Sequence, residues 1–234
     1  MKRHIPNTLT CLNLFSGCLA VVMAFDGQFT LAFAFILLSA VFDFFDGLAA
    51  RALDAHSPIG KDLDSLADDV SFGVAPASML FNLLQQVAVA QSWGGACALL
   101  PYVAFLIAVF SALRLAKFNN DSRQTTSFIG LPVPANALFW ASYVLFLNGN
   151  PERVQQWAFP LALLTLALVL FFSWLLVSEI PMFSLKKMKS DRRIPFFFIG
   201  CIPLFALFSM KAFVPIIIWY ILLSLIGEPK QKKA

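Results

Sequence analysis

Long apolar runs separated by short polar breaks pattern the chain from residue 8 to residue 227. Each run is near the roughly 20 residues an α-helix needs to cross a bilayer. The breaks predict spanning helices near 8–25, 29–50, 66–90, 95–116, 131–148, 156–177, 194–208 and 213–227. The last two are short, and the break around Met210-Lys211 predicts a tight turn between them. This is the pattern of an all-α membrane protein with about eight transmembrane helices. We expect a single integral-membrane domain over 1–234, with no cleavable leader and no separate soluble domain.

Composition points the same way: 59% of residues are hydrophobic and 13% charged, against about 25% charged in a soluble domain. Charge adds an orientation. With both termini on the cytoplasmic side, all of the 17 cationic residues except Arg153 and Lys211 fall on that side, as the positive-inside rule requires. The net charge of +4 therefore does not point to nucleic acid. Its cations sit at helix ends, where the anionic headgroups of membrane lipids are the nearest partners. Cys11, Cys18, Cys97 and Cys201 lie in or beside apolar runs without metal-type spacing, and read as small hydrophobes.

Acidic residues are distributed unevenly. Seven of the 13 (Asp43, Asp46, Asp54, Asp62, Asp64, Asp68 and Asp69) lie where the second and third spans meet. Asp43 and Asp46 follow a stretch from Leu31 to Phe42 that is apolar but for Ser39, where an ionised carboxylate is expensive unless paired or bound to a cation. Asp43 and Asp46 are three apart and Asp64 and Asp68 four apart, so each pair projects from one helix face. The turn-forming stretch Leu53 to Pro58 would fold the two helices back on each other and bring the pairs together. Four converging carboxylates repel one another, and hard divalent cations compensate that repulsion. With no His or Cys among them, magnesium or manganese suits the site better than zinc. Two metals flanked by aspartates fit phosphoryl transfer. Gly47 and Ala50 leave room for a nucleotide or diphosphate against the helix, with Arg51 near the phosphate. Gly47 also reads as a small-residue helix contact.

The run Asp43-Phe-Phe-Asp46-Gly47-Leu-Ala-Ala50-Arg51, followed at fixed offsets by Gly60, Asp64 and Asp68, resembles the full signature of the CDP-alcohol phosphatidyltransferases. The resemblance implies a six-helix core, here about 1–180, with a C-terminal helix pair at about 190–228 added to it. It also implies a cytoplasmic-side active site with two divalent ions, Mg2+ or Mn2+, and a homodimer. By that resemblance Asp43, Asp46 and Asp64 bind one metal and Asp43, Asp64 and Asp68 the other, with Asp68 also the catalytic general base. Pro6-Asn7-Thr8-Leu9-Thr10, then Asn13 and Gly17, resembles the family's N-terminal segment. The expected CDP-binding set is therefore Asn7, Thr10, Asn13, Gly47, Ala50, Arg51 and Gly60. A plain helix start with a packing glycine is the alternative for the N-terminal part.

Arg114-Leu-Ala-Lys117-Phe118-Asn119 and Phe128-Ile-Gly130-Leu131-Pro132-Val-Pro134-Ala135 resemble paired motifs of the phosphatidylserine synthase branch found in bacteria and archaea. Arg114 and Lys117 lie one turn apart at a helix C-terminus, where cations are favoured. They could attract the carboxylate of an amino-acid acceptor, with Arg123 as a third cation; the alternative is that they are ordinary positive-inside residues. Gly130, Pro132 and Pro134 predict an irregular backbone at the wall of a pocket. The expected acceptor site is Arg114, Lys117, Asn119, Arg123, Gly130 and Pro132. The branch implies transfer of the phosphatidyl group from CDP-diacylglycerol to L-serine in the bacterial or archaeal cytoplasmic membrane, with release of CMP. The rivals are the same chemistry on glycerol 3-phosphate, inositol phosphate or choline, and, more remotely, a cation transporter.

Overall fold

Helices α1 (His4–Phe25) and α2 (Phe29–Ala52) pack against each other in the computed structural model, which describes residues 4–55, 57–121, 128–183 and 193–226. Hydroxyls hold the pair at a fixed register: Ser16 Oγ donates to the Phe35 carbonyl (2.9 Å) and Ser39 Oγ to the Asn13 carbonyl (3.1 Å). Helix α2 closes in a turn where the Ala55 N–H reaches the Ala50 carbonyl (3.0 Å) and Asp54 takes a φ of 47°, a left-handed conformation that Asp enters more readily than most residues.

Helix α3 (Pro58–Asp68) then starts on Ser57, whose Oγ accepts the Gly60 N–H at 3.0 Å, with Pro58 in the first turn. The chain continues through a π-helical segment, Asp69–Val74, into α4 (Ala75–Ala90), giving one helical stretch of 33 residues. The third crossing thus begins at Pro58 and not at residue 66. The apolar run marks where the membrane begins, whereas the Ser57 cap and Pro58 mark where the helix begins. A third hydroxyl joins the π segment to α1: Ser71 Oγ donates to the same Asn13 carbonyl (3.1 Å).

The fourth crossing opens as a 3-10 helix, Gly95–Phe105, carrying Pro101, and becomes α-helical in α5 (Leu106–Asn120). Helix α6 (Val133–Asn148) lies at the centre with Phe139 and Trp140 buried, which is why its sequence is apolar on nearly every side. A short helix, α7 (Pro151–Gln156), leads into α8 (Ala158–Val177), which stacks Phe172 on Phe139 at 4.1 Å. A two-residue strand, β1 (Phe128–Ile129), pairs antiparallel with β2 (Pro181–Met182).

Helices α9 (Arg193–Phe208) and α10 (Phe213–Ile226) are joined by a 3-10 turn, Ser209–Ala212, with Ser209 at φ 50°. Phe197 meets Tyr220 at 6.0 Å, so the two helices run antiparallel. Among the described residues six helical stretches are long and apolar enough to cross a membrane, the last being Arg193–Ile226, and Val133–Asn148 is a shorter apolar helix. Taking the two arms of the last stretch and α6 separately gives the eight apolar segments of the sequence pattern. The protein is an all-α, multi-pass integral membrane protein.

Candidate active site

The end of α2 and the middle of α3 bring four aspartates together. Carboxylate oxygens of Asp43, Asp64 and Asp68 all lie within 4.8 Å of one another. Asp46 stands outside that triad, its Oδ2 accepting the Thr10 hydroxyl at 2.7 Å. Asp68 is 8% exposed and receives the Asn13 side-chain amide on Oδ1 at 3.0 Å. Asp64 Oδ1 is buried with no hydrogen-bond partner.

Three carboxylates at this spacing, one with an orphaned buried oxygen, form a hard, anionic, all-oxygen donor set. It suits a divalent cation of the magnesium or manganese kind and offers nothing to a soft metal. The other acidic residues of the cluster do not join it. Asp54 and Asp62 are exposed, and Asp69 turns toward Gly73 and Ser111.

Two cavities open beside this cluster and divide the aspartates between them. The larger, about 580 Å³, is lined by Asp46 and Asp64 together with Asn7, Thr10, Gly47, Ala50, Arg51, Gly60 and Lys61. The smaller, about 280 Å³, is lined by Asp43 and Asp68 together with Arg114, Leu115, Phe118, Pro132, Val133 and Pro134. The first has two cations and a floor without side-chain bulk at Gly47 and Gly60. The second is mostly apolar and has the buried Arg114 as its cation, with the guanidinium 5.4 Å from the Phe118 ring centroid.

Six of the positions expected to meet the nucleotide (Asn7, Thr10, Gly47, Ala50, Arg51 and Gly60) therefore share one cavity. Asn13 does not face it. Its side chain is fully buried and bound to Asp68, and its carbonyl accepts the Ser39 and Ser71 hydroxyls. Of the positions expected at the acceptor, Arg114 and Pro132 line the smaller cavity. Lys117 instead donates to the Val177 carbonyl at 3.0 Å, at the exposed C-terminal end of α8. Asn119 ties α5 to α3, its amide donating to Ser65 Oγ (2.7 Å) and its carbonyl accepting Lys61 Nζ (2.8 Å).

Gly130 is buried at φ 79°, with its N–H on the Ile180 carbonyl (2.8 Å); a Cβ there would lie 2.6 Å from the Leu176 carbonyl. Arg123 lies outside the described residues. Lys61, which the sequence pattern places only among the membrane-edge cations, also lines the larger cavity. Its position next to Gly60, within the signature, was the signal available.

A family model described as CDP-alcohol phosphatidyltransferase matches residues 3–168. A Helicobacter pylori protein named CDP-diacylglycerol–serine O-phosphatidyltransferase is 33% identical over 192 residues, covering 79% of this chain and 73% of its own length. A Bacillus subtilis protein of the same name is 36% identical over 135 residues, covering 56% of this chain and 70% of itself. One from Mycobacterium bovis is 32% identical over 229 residues, covering 94% of this chain and 74% of itself.

Proposed function

This chain belongs to the CDP-alcohol phosphatidyltransferase family, and from that membership we propose that it is a CDP-diacylglycerol–serine O-phosphatidyltransferase acting at the cytoplasmic face of the membrane. The observation that carries the reading is the division of four aspartates between two cavities that share one carboxylate cluster. A nucleotide diphosphate fits the larger cavity, where Gly47 and Ala50 admit it and Arg51 and Lys61 supply positive charge. The acyl chains of the donor stay in the bilayer. The smaller cavity suits a small acceptor with one carboxylate, which Arg114 meets from the C-terminal half of α5.

Asp43, Asp46, Asp64 and Asp68 would hold two divalent cations, Mg2+ or Mn2+, whose charge would neutralise the diphosphate and the negative charge that develops on it. The chain's own groups do the rest. Arg114 orients serine by its carboxylate, so that the hydroxyl points at the phosphorus carrying the diacylglycerol. Asp68, held by Asn13, takes the hydroxyl proton as the serine oxygen bonds to that phosphorus. The bond from that phosphorus to the bridging oxygen breaks, its electron pair leaves with CMP, and phosphatidylserine remains in the membrane. Thr10 keeps Asp46 oriented toward the donor side.

A phosphorylated acceptor would call for more cations than Arg114 alone, and choline for a cage of aromatic rings around Phe118. The family resemblance further supports a homodimer. The test is incorporation of radiolabelled serine into chloroform-soluble lipid by purified protein in mixed micelles with CDP-diacylglycerol and Mg2+ or Mn2+. Serine-dependent product that disappears with EDTA is expected. Product formed only with glycerol 3-phosphate, inositol phosphate or choline would overturn the choice of acceptor.

A further inference from the structure

Neither α9 nor α10 takes part in the chemistry above, and both lie beyond the residues the family model matches. The hairpin they form nevertheless reaches the wall of the smaller cavity through a continuous set of hydrogen bonds. Pro132 lines that cavity. Immediately before it, the Leu131 N–H donates to the Leu175 carbonyl (3.1 Å) and the Gly130 N–H to the Ile180 carbonyl (2.8 Å). One residue further back, β1 pairs with β2, with Ile129 opposite Pro181 and Phe128 opposite Met182. Phe183 follows β2, and its carbonyl accepts the Tyr220 hydroxyl from α10 at 2.9 Å.

The Tyr220 ring sits 4.7 Å from the Phe183 ring, which also meets the Phe197 ring at 5.7 Å and has the Arg193 guanidinium 5.4 Å from its centroid. Tyr220 is 7% exposed. It therefore reaches the smaller cavity through the strand pair that leads into Pro132.

We propose that Tyr220 is a positioning residue for the acceptor, holding the β1–β2 wall that leads into Pro132 in the arrangement that selects a small carboxylate-bearing alcohol. The C-terminal hairpin is then a specificity element added to a core that carries the shared phosphatidyl transfer. This rests on the assignment of the smaller cavity to the acceptor.

The experiment is steady-state kinetics of full-length Y220F, which keeps the ring and removes the hydroxyl. The KM for serine should rise about five-fold or more, the range a single lost buried hydrogen bond spans. Both kcat and the KM for CDP-diacylglycerol should stay within about two-fold of wild type, since the donor side and Asp68 are untouched. A purely structural role would lower kcat, raise both KM values and reduce thermal stability together, and that result overturns the proposal. So does a serine KM equal to wild type.

If Y220F does not fold, the same measurements on Phe183→Ala remove the ring that seats the phenol and leave the carbonyl. A serine-selective rise in KM is again expected, and a uniform loss overturns the proposal. A wild-type protein that incorporates no serine would overturn both this inference and the assignment of function. Serine incorporation with an unchanged KM in Y220F overturns this inference alone.

Discussion

Asp68 is 8% exposed, accepts the Asn13 side-chain amide and lines the smaller cavity. Asp68→Asn keeps the shape and removes the proton acceptor, so turnover should fall by at least about 10²-fold. CDP binding, measured at equilibrium, should be largely retained, because the larger cavity is lined by Asp46 and Asp64. A fully active variant would refute the base assignment. Asn13→Leu should lower kcat by about 10-fold or more, the effect of losing a hydrogen bond to a charged group, with little change in either KM. An equal loss in nucleotide affinity would instead return Asn13 to the donor site. The four aspartates were legible because their spacing fixes their helix faces. The partner of Asn13 was not, since a helical face gives a direction and says nothing of what lies opposite, here a residue 55 positions away. The neighbours that Lys117 and Gly130 meet at the end of α8 were hidden for the same reason.

Helices begin and end for local reasons that hydropathy does not report. The cap at Ser57 starts α3 before the apolar run, so Ser57→Ala should destabilise α3 by about 1 kcal/mol. The loss should appear as weaker Mg2+ or Mn2+ dependence of activity, with the metal needed at higher concentration; an unchanged metal titration would show the cap to be dispensable. At Gly130 a methyl group meets both a left-handed backbone and the carbonyls of α8. Gly130→Ala should therefore lower the melting temperature in detergent, by an amount corresponding to about 2 kcal/mol or more. Wild-type stability would mean that the α8 end shifts freely. The apolar pattern made the crossings legible to within a few residues, except at the start of the third, which begins at Pro58. It could not give the 3-10 opening of the fourth crossing, the π segment or helix α7, which depend on Pro101, on Ser71 packing against Gly17 and on a short Pro151 start.

At the scale of the whole molecule, we propose from the asymmetry of charge that the aspartate cluster and the α9–α10 turn lie on opposite membrane faces. In a variant lacking its native cysteines, Ser209→Cys should react with an impermeant maleimide on intact cells, and Asp62→Cys only after permeabilisation. The reverse would invert the topology. The two cavities also bear on the order of events. Each has its own aspartates and its own lining, so on the proposed assignment donor and acceptor can be held at once and neither need vacate the site for the other. That arrangement calls for a ternary complex. Initial-rate lines should intersect when both substrates are varied, CMP should compete with CDP-diacylglycerol but not with serine, and labelled CMP should not exchange into CDP-diacylglycerol unless the acceptor or its lipid product is present.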